Sequence, residues 1–125
     1  LEKNLLIRHK IAEIYYYYLE DFDFIQLPIK KTNYCKNSFW VFSLLIKDKR
    51  FNARFLSNEL LKSGVQSRPF FYPLHLQPII PQINNKKYKV AEFISEYGLY
   101  LPSGIGTKLK LIEESAKRVK AILNF

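Results

Sequence analysis

The chain has 125 residues, the size of one domain with one core, and 48% of them are hydrophobic, including ten Phe and nine Tyr; this excludes a disordered chain of low hydropathy. Twenty Lys and Arg against eleven Asp and Glu give a net charge of +9. The cations stand in separate segments, mostly at element ends, so a solvated basic surface is expected rather than a nucleic-acid footprint.

From Ile7 to Phe22 the residues Ile7, Ile11, Ile14/Tyr15, Tyr18 and Phe22 recur every three or four positions, which predicts an amphipathic opening helix. Its run Tyr15-Tyr16-Tyr17-Tyr18 cannot make one stacking platform, because neighbouring helical side chains point about 100° apart. Core and half-buried tyrosines are expected instead. Phe24-Ile25-Gln26-Leu27-Pro28 reads as a short extended segment and Lys30 to Asn37 as a loop. Phe39 to Ile46 is nearly all apolar, as in a strand covered on both faces; periodicity alone leaves a buried helix open. Asp48-Lys49-Arg50 turns the chain, and Asn52 is placed to cap a helix from Ala53 to Ser63, with Phe55/Leu56 and Leu60 inward and Gly64 as its stop.

Val65 to Tyr72 is again extended, but Pro69 lacks an amide hydrogen, so an edge or irregular strand is expected, followed by a loop from Pro73 to Pro81. Val90/Ala91, Ile94 and Tyr97 mark a helix over Lys87 to Tyr97, stopped by Gly98. Leu99-Tyr100-Leu101-Pro102 is a last short strand. Thr107 is placed to cap a closing helix striped by Leu109, Ile112, Ala116, Val119 and Leu123. The order helix, strand, strand, helix, strand, loop, helix, strand, helix implies an α+β domain with a small, largely antiparallel sheet and helices packed on it.

The sequence also bounds compartment and chemistry. No apolar run approaches the roughly 20 residues of a transmembrane helix, and the mixed-charge start Leu1-Glu2-Lys3-Asn4 is not that of a secretory signal, so a cytoplasmic protein is expected. Cys35 stands alone, which excludes an intrachain disulfide and a cysteine-based zinc cluster; it is expected to be a small, half-buried apolar residue. His9 and His75 are too far apart for a local metal motif, and no metal is assigned. The absence of Met is read as the mark of a fragment.

The most informative stretch is Val65-Gln66-Ser67-Arg68-Pro69-Phe70-Phe71-Tyr72-Pro73-Leu74-His75-Leu76-Gln77-Pro78. It resembles the small-domain signature of the DegT/DnrJ/StrS sugar aminotransferases, especially their perosamine-synthase-like branch, with its Arg-Pro-Phe-Phe-Tyr-Pro segment and Pro-x-His loop. Further landmarks fall in the same order: Arg8 through Tyr15, Ser38-Phe39-Trp40-Val41-Phe42, Arg50 to Gly64, and Ala91-Glu92 through Gly98-Leu99-Tyr100-Leu101-Pro102-Ser103.

The resemblance implies a fold-type-I enzyme that moves an amino group from glutamate to a nucleotide-linked keto-sugar through pyridoxal phosphate. It implies that residues 1–125 are the C-terminal small domain, with 1–23 as the helix leading in from the large domain and 24–125 as the α+β body. The catalytic lysine and the cofactor site would belong to the large domain, so this chain alone would be inactive and would not hold pyridoxal phosphate. The candidate substrate contacts are Arg68, Phe71, Tyr72 and His75. An arginine fork suits a carboxylate or phosphate; His75 would either donate to the ligand or pin its loop. Phe70 and Phe71 alternate, so one is expected inward and the other toward the cleft.

The absent domain is expected to leave an apolar patch on the stripe Ile7, Ile11, Tyr15 and Tyr18, together with Phe71 and Leu74 to Leu76, through which the chain would form a homodimer. The alternative is a stand-alone basic α+β module that grips nucleic acid with Arg68, Phe70, Phe71 and Tyr72. Against it, no glycine separates the aromatics and the lysines do not cluster with them.

Overall fold

The strand of Phe42–Ile46 carries the core on one side only. In the computed structural model, which describes residues 1–79 and 87–124, Phe42, Leu44 and Ile46 are buried while Ser43 and Leu45 are half-buried. The expectation of a strand covered equally on both faces is thereby corrected: the alternation is that of a sheet with one core face and one partly open face. The strand also starts later than its apolar run. Phe39 takes φ 49°, a costly conformation for a bulky residue, and its amide donates to Asn37 Oδ1 at 2.8 Å. That reversal drops the Phe39 ring into the core and leaves Trp40 63% exposed.

The elements run α1 (Glu2–Leu19), β1 (Ile25–Gln26), β2 (Phe42–Ile46), α2 (Ala53–Lys62), β3 (Arg68–Pro69), a single 3₁₀ turn (Leu74–Leu76), α3 (Lys89–Tyr97), β4 (Gly98–Leu101) and α4 (Leu109–Leu123). All strand pairs are antiparallel, in the order β1-β2-β4-β3. The last strand in sequence is therefore central, and β3, which contains Pro69, lies at an edge where its missing N–H costs no ladder bond. Register sets the faces. Phe42↔Leu101 and Leu44↔Leu99 share the core side, whereas Ser43↔Tyr100 and Arg68↔Tyr100 share the other.

On the core side Ile11, Tyr15 and Leu19 of α1 meet Leu56 and Leu60 of α2 and Ile112, Ala116, Val119 and Leu123 of α4. Burying each large side chain contributes about 1.5–3 kcal/mol. Tyr15 stacks on Phe42 with ring centroids 4.7 Å apart and donates its hydroxyl to Pro102 O at 2.7 Å. Burial pushes its phenol well above the usual range, so the hydroxyl stays a donor. Tyr16, also buried and near Glu20, is pushed up to about 12 and donates to Pro28 O. Tyr18 spans to Glu113 of α4, and Tyr17 faces solvent, so the four tyrosines take different environments as the helical angle requires.

Several local expectations are corrected. The helix α1 ends at Leu19, and Phe22 packs from the following turn. Its stripe does not form an exposed interdomain face, because Ile11 and Tyr15 are buried in this chain's own core and Ile7 and Tyr18 half-buried against it. Phe55 of α2 is exposed, although Asn52 caps that helix as expected, accepting from Phe55 N at 2.9 Å. Thr107 does not cap α4, whose N-cap is Lys108 without a side-chain bond; Thr107 N–H instead closes a turn on Gly104 O at 3.0 Å. Cys35 is exposed, at the tip of a hairpin, rather than half-buried. The loop expected over Pro73 to Pro81 is seen as far as Ile79, and its remainder lies outside the described residues. No helix of the described residues is long and apolar enough to cross a membrane.

Candidate functional site

Tyr100 organises the open face of the sheet. Leu99 and Leu101 beside it point into the core, so the pleat turns Tyr100 outward, opposite both Ser43 and Arg68. The Phe70 ring lies on Tyr100 at 4.6 Å and the Phe71 ring meets it edge-on at 5.7 Å. Phe70 N–H donates to Gly98 O at 3.1 Å, which continues the β3–β4 pairing one residue past the strand. Phe70 is half-buried and Phe71 68% exposed, but both rings lie against Tyr100 on the open face; the expectation that one of them would turn inward is corrected, because the chain leaves the sheet after Phe70 and strict alternation ends there.

The sequence-derived candidates thus separate. Arg68, Phe71 and Tyr72 (57% exposed) are open to solvent. His75 is turned inward: it is 5% exposed, with Nε2 2.9 Å from Glu92 Oε1 and its ring 4.7 Å from that of Tyr88. Glu92 Oε1 also accepts the Tyr88 backbone N–H at 3.0 Å, so one carboxylate ties the 3₁₀ turn to the start of α3. The flanking Leu74 and Leu76 are exposed, as is Phe71, which is the half of the expected apolar patch that is present; Ile79, outside that expectation, is exposed beside them. Two residues were missed by sequence reasoning. Tyr100 was readable from the alternation of Leu99-Tyr100-Leu101, whereas Glu92 had no signal, since only the turn of the chain brings His75 to it.

Between this wall and the hairpin of residues 30–37 runs a groove of about 660 Å3, bordered by Gln26, Ser43, Leu45, Phe70 and Ile94. Its fit to an imine-forming cofactor can be judged from the lysines. Every described lysine is exposed except the half-buried Lys120, so none sits in the closed apolar pocket in which an imine-forming lysine is held. The described residues do not fit a cofactor-holding site, and no step through one is assigned to them. Among them no cluster suited to a metal is present either.

The Glu92 clasp makes a pH prediction. The hydrogen bond from His75, and then that from Tyr88 N–H, hold the Glu92 carboxyl below its usual range. A carboxyl depressed in the folded state contributes stability above its unfolded pKa, about 4.3, and loses it as pH falls through the lower folded value. Wild type is therefore expected to lose more stability than Glu92→Gln between about pH 5 and 3, read as Tm against pH. Parallel curves would show that the clasp carries no charge-dependent stability.

The four-helix, four-strand α+β arrangement is that of the C-terminal domain of DegT-family aminotransferases. The chain belongs to the DegT/DnrJ/EryC1/StrS aminotransferase family, whose profile matches residues 1–124. It is 28% identical over 130 residues to the GDP-perosamine synthase of Vibrio cholerae, covering 99% of this chain and 34% of that protein, in its C-terminal third. The crystal structure of the aminotransferase TlmJ from Streptoalloteichus hindustanus superimposes with a TM-score of 0.82 at 21% identity, over 96% of this chain and 32% of that one. An E. coli GDP-4-keto-6-deoxy-D-mannose-3-dehydratase with bound hydrated PLP gives 0.73 at 18% identity, over 94% of this chain and 31% of that one. The chain thus spans about a third of the length of these relatives.

Proposed function

We propose that these 125 residues serve as the small domain of a pyridoxal-phosphate-dependent sugar aminotransferase that passes an amino group from glutamate to a nucleotide-linked keto-sugar. The observation that carries the reading is the family match along the whole chain, joined to an exposed wall of Arg68, Phe71 and Tyr72 on the open face of the sheet. The cofactor, held by the rest of such an enzyme, supplies the electron sink. This chain's residues bind and orient. The Arg68 guanidinium presents a fork to the carboxylate of glutamate or the phosphates of the sugar nucleotide. Phe71 and Tyr72 offer apolar surface that excludes water beside it. His75, turned onto Glu92, pins the turn that follows Tyr72 and so sets where that wall stands.

The test is glutamate-dependent amination of a GDP-linked keto-sugar by the product of the complete reading frame, compared with the 125-residue chain alone. The full product is expected to turn over with an imine absorption band, and Arg68→Ala to raise KM for glutamate or sugar nucleotide by roughly tenfold or more. The isolated chain is expected to show neither band nor turnover. A stoichiometric lysine adduct with turnover in the isolated chain would overturn the small-domain reading.

A further inference from the structure

The hairpin between β1 and β2 brings together two lysines that the fold does not need to pair. Asn37 N–H donates to Lys30 O at 3.1 Å and Thr32 N–H to Cys35 O at 2.9 Å, which sets Lys31 directly opposite Lys36. This is the non-hydrogen-bonded position of an antiparallel ribbon, where facing side chains come closest and leave on the same side. Like charges placed there repel and destabilise the ribbon. Among the described residues neither lysine forms an ion pair, and both are exposed. A fold gains nothing from that juxtaposition unless something anionic comes to it.

Both lysines border a groove of about 490 Å3 between the hairpin and α1, a volume that suits a small ligand. His9 borders it from α1 and Lys30 from the hairpin, and the floor is Ala12, Tyr16 and Phe39. Lys30 Nζ lies 4.0 Å over the Tyr16 ring; its 3.7 Å contact with Glu20 joins two largely exposed side chains and leaves its charge mostly unneutralised. Glu13 is the one acid among the described lining residues. An apolar floor under a cationic rim lowers the local dielectric and strengthens attraction for an anion. None of Arg68, Phe71, Tyr72 or His75 lines this groove, although Lys31 and Lys36 also border the 660 Å3 groove on the other side of the hairpin.

We propose that the groove between α1 and the 30–37 hairpin binds a multivalent phosphate anion, with Lys31 and Lys36 as a clamp on a diphosphate. The anion removes the repulsion between the paired ammonium groups, with His9 donating from α1 and Lys30 from the hairpin.

The experiment titrates the chain with pyrophosphate and, separately, with GDP, reading affinity by calorimetry and the site by amide shifts of Lys31 and Lys36. Binding of either probe with shifts centred on the hairpin is the expected result; GDP alone assigns a phosphate ester, and both assign the diphosphate group itself. The charge reversal Lys31→Glu with Lys36→Glu is expected to weaken binding at least tenfold. Lys89→Glu with Lys108→Glu, the same change in net charge elsewhere, should alter it less than twofold. Equal losses in the two double variants, or no binding of either probe, would overturn the site in favour of a diffuse basic surface. Lys31→Glu alone converts the repulsive pair into an attractive one, so it should raise Tm while lowering affinity. A fall in Tm would refute the repulsion on which the clamp rests.

Discussion

Replacing Phe42 by alanine is expected to cost about 3–5 kcal/mol, a large share of the roughly 5–15 kcal/mol that keeps a domain folded. Phe42 is fully buried at the start of β2, and its ring stacks on Tyr15 at 4.7 Å and stands 5.4 Å from Tyr16 and 6.4 Å from Phe39. Removing it opens a space walled by three rings that cannot collapse into it. Tyr15 is held by its hydroxyl on Pro102 O, Tyr16 by its hydroxyl on Pro28 O, and Phe39 by a backbone reversal. Cost rises with the residual cavity when the surroundings cannot relax. Phe42→Leu keeps most of the volume and should cost under about 1.5 kcal/mol. Urea denaturation with far-UV detection measures both, and an alanine variant that loses less than about 1 kcal/mol would contradict the placement of this ring at the centre of the core.

Gly98→Ala is expected to destabilise by about 1–3 kcal/mol although the backbone there would accept alanine. Gly98 has φ −104°, so it is not the left-handed stop that its position after a helix suggests; it begins β4 directly. What demands glycine is space. A Cβ at this position would stand 2.4 Å from the Phe70 ring and 2.6 Å from Ile94 O, the carbonyl that accepts Gly98 N–H. The ring can swing away, but the helix carbonyl cannot move without breaking the junction of α3 with β4. Alanine should therefore push Phe70 off Tyr100 and disturb the wall that carries Arg68 and Phe71. Phe70→Ala introduced with Gly98→Ala should recover only part of the loss, because the carbonyl contact remains. Thermal melts of the two single variants and the double give the coupling. Full recovery in the double variant would mean that the ring alone excludes a side chain here.

Where the chain turns helical or extended was legible because local rules agree with the fold. The apolar spacing of Ile112, Ala116, Val119 and Leu123 placed α4 and its buried face, and Asn52 marked the start of α2 by the hydrogen bond its side chain makes. Pro69 kept its strand at an edge because a residue without an N–H cannot sit between two partners. The order of the elements and the α+β class follow from such signals, whereas the family was indicated by the resemblance of the Val65 to Pro78 stretch. Arg68, Phe71 and Tyr72 were recognisable from their motif, and their exposure follows from an edge strand that runs out into a proline-punctuated loop.

Other features have no local cause. The stripe of α1 looked ready to meet another domain, yet an apolar face reads the same whether its partner is foreign or its own α4, and only the path of the chain decides. Cys35 is as small and apolar as a buried residue, but the Lys31–Lys36 hairpin carries it to a tip in solvent. Glu92 lies 17 positions from His75, and nothing in either segment announces the pair. The sequence by itself determined which elements form and which faces are apolar, because those depend on neighbours within a helical turn or a strand. The tertiary structure alone decided that the last strand is central, that Gly98 must lack a side chain, that His75 faces inward and that two lysines face each other across a ribbon. Each of these is a meeting of residues distant along the chain or brought together by a turn, and its energy exists only once the fold has made the contact.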